Sequence, residues 1–458
     1  MNINYEIRLY TAKGDFLTSI TDIIDAGGAG LDYVLRSDGQ IGVLNLSVPR
    51  GDLDVFFEWK NVDYKIGVWR SINGAPYALD NNAMYFVRSF EYTESYTKIT
   101  AYHALELFTR RLNAYRKSTF NNWGPQQTSW GGTAVETDDM QVSYAGNLMK
   151  GIIRQNYSFE YQFADNDGTF GLFNRTRRWN YATTSGREMG SGSWTNNIKL
   201  PNMDLQEYIL IEPDKNDGIW TAAIDCNGGV VYELLKQIQA LSIQGDEDDN
   251  VNPLYLTFDL QSVDERTFIF KTFQSVYGYN RGNGNFIFSA YRGNLAEPKM
   301  IVDRSEESTV MYSIDKNENI KSAINRRRLV DSPFNLREAL SNPQIKDSTY
   351  ARKVNSATNP REITSAQVLI NDAYTELLKK IPRIKIEGKA VPTPTSIRGR
   401  DWDVGDIVTL DFRGFRDDYR ITAVNVSISN GQISEDVQWE QVDISGFGKD
   451  TSDTISQP

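Results

Sequence analysis

Arg400-Asp401-Trp402-Asp403-Val404-Gly405-Asp406-Ile407-Val408 decides the fold class. Gly405 supplies a turn conformation that a residue with a β-carbon resists, and Asp403 and Asp406 can accept hydrogen bonds from nearby amides. A polar turn here therefore launches a strand through Ile407, Val408 and Leu410. Asp417-Asp418 is read as the break before a second alternating run, Tyr419 to Ile428, and Asn430-Gly431 is a hairpin signal before a third, Ile433 to Val442. The stretch from Gly399 to Val442 predicts a small antiparallel β unit.

The same alternation fills the N-terminal part. Residues 3 to 10 alternate as a strand, Lys13-Gly14-Asp15 turns, and Leu31 to Arg36 faces Ile41 to Val48 across Ser37-Asp38-Gly39-Gln40. Tyr64 to Ser71 and Met84 to Tyr92 form a second hairpin, and Thr97 to Tyr102 returns as another strand. So many consecutive strands need closure to protect their edges, which predicts one all-β unit, a barrel or strongly curled sheet, over about the first 100 residues. His103 to Arg111 reads as a helix with Leu105, Phe108 and Leu112 on one face.

Between these β units the pattern is mixed. Ser118 to Thr137 reads as an exposed loop or insertion, and Asp138-Asp139 caps a helix carrying Met140, Tyr144, Leu148 and Ile152. Residues 158 to 219 lack clear periodicity and are read as an inserted α+β lobe. Gly228-Gly229 precedes a helix with Val231, Leu234, Leu235, Ile238 and Leu241 toward a core. Leu254 to Leu260 and Phe268 to Phe270 alternate as strands around Asp264-Glu265, and Asn280 to Asn285 turns into Phe286-Ile287-Phe288. Residues 303 to 364 are polar and are expected to wrap other elements. Thr364-Ser365 caps a helix with Leu369, Ala373 and Leu377 on one face, stopped by Pro382, and Lys449 to Pro458 reads as a frayed polar tail.

Composition sets the class of chemistry. At 458 residues and 40% hydrophobic content the chain can bury substantial cores, and its net charge of −11 repels nucleic-acid phosphates. No apolar run reaches the length of a membrane span, and Met1 to Glu6 lacks the pattern of a signal peptide. Cys226 is the only cysteine, which excludes an intrachain disulfide and reads as a small buried residue. His103 is the only histidine; imidazole is the usual general base near neutral pH, yet no nucleophile elbow or zinc-binding helix motif accompanies it. His103 is therefore read as structural, and no catalytic, cofactor-binding or metal-ligating residue is assigned.

Other constellations resolve the same way. Asp246-Glu247-Asp248-Asp249 reads as a solvated loop rather than a cation site, and Asp315 to Asn319 starts like an EF-hand but has Ile320 and Arg326 where glycine and glutamate belong. Gly27-Gly28-Ala29-Gly30 leads into a strand rather than a helix, so it is not a phosphate loop. Arg326-Arg327-Arg328 is read as ion-paired or solvated. Phe268, Phe270, Phe273, Tyr277 and Tyr279 could stack on a sugar, but alternating aromatics more readily pack a core. A pair of carboxylates for glycan hydrolysis leaves no local signature and stays open as an alternative.

Several of these runs together resemble the tail-tip or baseplate hub proteins of tailed bacteriophages, in particular minor tail proteins of long-tailed siphophages. They are Tyr5 to Asp15, Ile66-Gly67-Val68-Trp69-Arg70-Ser71, Tyr85-Phe86-Val87-Arg88-Ser89, the passage Ala101 to Arg111, and Gly399 to Val408. The resemblance spans about residues 1 to 160 and 365 to 445. It implies a mainly β protein with α+β insertions, in which two tube-like antiparallel β-barrels are interrupted by inserted lobes. The implied divisions are a first barrel at 1–113, an inserted α+β lobe at 114–219, a helix and β segment with a polar wrapping region at 220–364 that partly contributes to the second barrel, a closing helix and second barrel at 365–445, and a flexible tail at 446–458. The implied function is a non-enzymatic virion protein at the tail tip, assembled in the bacterial host cytoplasm as a homotrimeric hub. It would adapt a hexameric tube to three-fold tip proteins or fibres and let DNA pass, touching the tail-tube or distal tail protein, the tip or fibre proteins and the tape-measure protein. The resemblance implies no cofactor, no sequence-specific nucleic-acid contact and no membrane span. The alternative is a tail-associated cell-wall glycan hydrolase or a host-glycan-binding tail protein.

Overall fold

The computed structural model is mainly antiparallel β-sheet with a few helices, the class that the alternating runs predict. It describes residues 2–25, 30–51, 63–113, 143–157, 208–213, 215, 219–221, 229–240, 242–244, 256–274, 277–314, 320–325, 333–341, 352–354, 361–363, 369–370, 373, 376–377, 380, 384–413, 415–429, 431–441 and 455–456. Two units divide the chain discontinuously. The first takes Met1–Leu107, Thr257–Asp303 and Arg383–Val442; the second takes Phe108–Leu256, Arg304–Pro382 and Asp443–Pro458.

The first unit is built on one 14-stranded sheet. Its N-terminal strands are β1 (Ile3–Thr11), β2 (Phe16–Ile20), β3 (Leu31–Arg36), β4 (Val43–Pro49), β5 (Tyr64–Ile72), β6 (Ala78–Tyr92) and β7 (Tyr96–His103). From one edge to the other the order runs Leu295–Val302, Ile384–Ala390, Gln432–Gln441, Phe415–Ser429, β3, β4, β7, β6, β5, β1, β2. The decisive join is Phe415–Ser429 against β3, with Ile428 opposite Leu31 and Ala423 opposite Arg36. Strand alternation sends Leu31, Tyr33 and Leu35 to the same buried core as Val424 and Val426, so residues nearly 400 positions apart share one apolar face. Phe288 meets Trp402 and Trp439 edge-on at 5.0 and 5.2 Å in that core, a favourable geometry for ring quadrupoles.

The local structure departs from the sequence pattern in several places. The segment after His103 is a 3-10 helix, Ala104–Arg110; Leu105 is buried, but Leu112 has already entered a short strand, Leu112–Asn113. Asp417-Asp418 is not the turn. The chain reverses between Phe412 and Phe415, and both aspartates lie inside Phe415–Ser429, because the Asp418 carboxylate is satisfied laterally by the Asn283 amide and the Thr409 hydroxyl. Residues 303–364 contain short strands, Val310–Ile314, Ile320–Asn325 and Glu338–Ser341 among them, too brief to leave a readable period.

In the second unit, helix α1 (Ala145–Tyr157) starts after the expected cap, with Tyr144 in the short strand Ser143–Tyr144 and Met140 outside the described residues. Ala145, Leu148, Met149, Ile152 and Ile153 form its buried stripe at helical spacing. Helix α2 (Val231–Ala240) buries Val231, Leu234, Leu235 and Ile238 as the sequence predicts. Leu369, Ala373 and Leu377 are helical and buried, the last two against Met311 and Ala323. Ile455–Ser456, read from the sequence as part of a frayed tail, instead pairs as a short strand with Ile324 and Asn325. Among the described residues, no helix is long and apolar enough to cross a membrane.

Candidate functional site

Alternation along β5 turns Ile66, Val68 and Arg70 inward together, and alternation along Gln432–Gln441 does the same for Glu435, Val437 and Trp439. Two charged side chains therefore enter a hydrophobic core. Asp80 joins them from β6, and Arg398 from the turn that precedes Gly399 to Val408. Arg398 is fully buried. Its guanidinium donates from Nη1 and Nη2 to the two Asp80 carboxylate oxygens at 2.8 Å each, and from Nε to Glu435 Oε1 at 2.8 Å. Arg70 donates to the Arg398 carbonyl at 2.6 Å and to Glu435 Oε1 at 3.4 Å. The Tyr33 hydroxyl donates to Asp80, and Arg398 Nη2 reaches the Tyr5 hydroxyl at 3.2 Å.

Two guanidinium groups and two carboxylates make this cluster formally neutral, which is the condition under which burial of charge is tolerable. Burial pushes the Asp80 carboxyl up, but Arg398 and Arg70 overcome it and hold the group below its usual range. Burial opposes the charge on Arg398 as well, and Asp80 and Glu435 keep it protonated. Burial raises the Tyr5 hydroxyl to about 12, so the tyrosines act as hydroxyl donors and acceptors throughout the physiological range. The planar, bidentate fork of arginine fits such a site in a way lysine could not.

The turn around Gly405 extends the site. Gly405 has φ of +86°, and an added Cβ would collide with the Tyr277 ring. Asp406 works as the sequence predicts: it accepts from the Asp403 amide at 3.0 Å and the Tyr279 amide at 2.6 Å, and pairs with Arg281 at 2.8 Å. Asp403 accepts from the Val404 amide at 2.8 Å. Burial pushes Asp403 up to about 6, moderated by Arg398 and reinforced by Asp80.

His103 belongs to a second buried polar group, which Tyr277 joins to the Gly405 turn. The Asn82 amide sits 2.9 Å from His103 Nε2 and 3.0 Å from Asp259 Oδ2, while Tyr277 donates to the same aspartate at 2.5 Å. Burial lowers the His103 pKa despite the Asp259 carboxylate 4.0 Å away, so the ring is a neutral, hydrogen-bonded part of the core. Phe268 and Phe270 are buried, as core packing predicts, and Tyr279 is the exposed member of that aromatic series, with Arg281 5.2 Å over its ring. Cys226, Asp246 to Asp249, Asp315 to Asn319 and Arg326 to Arg328 lie outside the described residues. Among the described residues, no group of histidine, cysteine or acidic side chains is placed to hold a metal ion.

Sequence reasoning missed the Arg398 cluster, although a signal was present. Arg70 and Glu435 occupy inward phases of otherwise apolar alternating strands, and a charge at such a position requires a buried partner.

No family model matches the sequence, and no curated protein matches it. Solved structures are similar along nearly the whole chain. A 43 kDa tail protein of prophage MuSo2 from Shewanella oneidensis aligns over 96% of this chain and 98% of its own, at 9% identity and a TM-score of 0.49. A tail protein from Neisseria meningitidis MC58 aligns over 96% and 97%, at 8% identity and 0.49. A prophage tail protein from Listeria monocytogenes EGD-e aligns over 95% and 94%, at 11% identity and 0.46.

Proposed function

We propose that this chain is a structural, non-enzymatic virion protein: a homotrimeric hub at the distal end of a phage tail tube. Its task is to adapt six-fold tube symmetry to three-fold tip proteins or fibres while DNA passes. The observation that carries the proposal is a repeated device in the first unit's sheet. Ala78–Tyr92 and Phe415–Ser429 are both 15-residue strands, and each carries a register shift, at Val87/Ser89 and at Ile421/Ala423. Each also changes neighbour along its length: β6 pairs with β5 and then β7, and Phe415–Ser429 with Ile407–Phe412 and then β3.

A bulge bends its strand and increases local twist, so two such strands give one chain two similar curls. Three chains in a closed ring then present six related elements to a tube. The two barrels implied by the resemblance correspond, in this reading, to the curls around β6 and around Phe415–Ser429. The buried Arg398 cluster fixes the second relative to the first by interfaces rather than chemistry. A net charge of −11 suits a passage that does not hold DNA. The partners are the tail-tube or distal tail protein, the tip or fibre proteins and the tape-measure protein, at the tail tip of a virion assembled in the host cytoplasm.

Mass measurement of purified protein and of isolated tail tips tests this reading, with three copies per tip expected. A monomer that never joins a tail would defeat it. Cell-wall digestion abolished by one carboxylate-to-amide change would replace it with the hydrolase alternative.

A further inference from the structure

Among the described residues of Met1–Leu107, the buried side chains that carry a formal charge are Lys65, Arg70 and Asp80. Each takes a principal partner from a segment made much later. Lys65 donates to the Glu265 carbonyl, 200 residues on. Arg70 donates to the Arg398 carbonyl and to Glu435, and Asp80 receives both terminal nitrogens of Arg398, 318 residues on. Among the described residues of the early segment, Asp80 is met by the Tyr33 hydroxyl and by the Arg70 guanidinium at 3.9 Å. The apolar core has the same dependence, since β3 is flanked on one side by β4 and on the other by Phe415–Ser429.

We propose that the first unit contains a completion latch: its N-terminal strands become stable only when residues 383–441 arrive, and Arg398 is the bolt. Burying Asp80 and Arg70 without Arg398 and Glu435 leaves charged groups desolvated with poor pairing, so the partial sheet stays open during synthesis. The late strand also covers the edge of β3, an edge that would otherwise template pairing with other chains. A truncated or nascent chain is thereby kept from presenting a finished surface. The latch is a folding device and acts whether or not the protein is a tail hub.

Hydrogen exchange of the full chain, followed by mass spectrometry at rising denaturant, is the test. Peptides from β3 and β6 and peptides covering 415–441 should converge on one opening curve, as parts of a single cooperative unit. Arg398→Met should accelerate exchange in both sets by the same factor, a hundredfold or more, while Arg400→Ala, two residues away and solvent-exposed, should leave both unchanged. If Arg398→Met yields no folded protein, Glu435→Gln serves, with at least tenfold acceleration shared by both sets. The latch is refuted if peptides of 415–441 exchange ten times faster than those of β3 and β6, in wild type or variant, because the early strands would then be stable alone.

Discussion

Replacing Lys65 with methionine isolates the consequence of a buried ammonium. Lys65 is fully buried, donates to the Glu265 carbonyl, and lies 5.3 and 5.9 Å from the ring centroids of Phe268 and Phe86. Burial lowers its pKa from 10.5 to about 8; Asp264, Glu265 and Asp15 raise it and Arg266 lowers it further. Between those two values the unfolded chain keeps a proton that the folded chain has released, so folding stability from this group rises with pH across that window. Below about pH 8 both states are protonated and the full penalty applies. The gap corresponds to about 3 kcal/mol at 1.36 kcal/mol per pKa unit. Methionine has a similar length and no charge, so the stability of Lys65→Met relative to wild type should be highest near pH 7 and fall by about 3 kcal/mol as the pH approaches about 10.5. Tyr33, Tyr85 and Tyr277, whose pKa values burial raises, impose an opposite trend above the ordinary tyrosine range, but they are common to both proteins and cancel in the difference. Urea unfolding at closely spaced pH values, with the denaturant slope checked for constancy, supplies the measurement. A difference that stays flat within about 1 kcal/mol over the whole window would refute the desolvation argument.

Three further outcomes are expected. Arg398→Met leaves Asp80 and Glu435 with one guanidinium between them and should cost about 3–5 kcal/mol; combining it with Asp80→Asn restores neutrality and should recover about 2 kcal/mol of the summed costs, so additive urea-unfolding energies would contradict the cluster. Asp403, raised to about 6, contributes stability that is fully present below about pH 4 and lost as pH rises through about 6; Asp403→Asn should therefore gain on wild type by roughly 2 kcal/mol between about pH 4 and pH 7, and a constant offset counts against this. Gly405→Ala combines a left-handed backbone with a collision against Tyr277 and should cost about 2 kcal/mol or more in thermal or urea unfolding, whereas Gly431→Ala, at φ +74° with open space around it, should cost about 1 kcal/mol.

Much of the strand content was legible because alternation is local. Ile3–Thr11, Tyr64–Ile72 and Tyr96–His103 follow the period of two, and the Asp403/Asp406 turn chemistry is visible within four residues. Helix α2 was legible from its stripe alone. The turn at Arg413 was displaced onto Asp417-Asp418 because adjacent acids imitate a loop; the groups that accommodate Asp418, Asn283 and Thr409, come from other strands. The short strands of 303–364 draw their order from neighbours rather than from any pattern of their own.

The sequence by itself determined the alternating strands of the N-terminal part and most of those between Ile407 and Gln441, with the apolar face of each. Only the tertiary structure decided that β3 pairs with Phe415–Ser429, and that Arg398 closes the space between Asp80 and Glu435. The physical reason is range. Alternation and turn chemistry act over a few residues, whereas the pairing of buried charges depends on which distant strands the sheet makes neighbours.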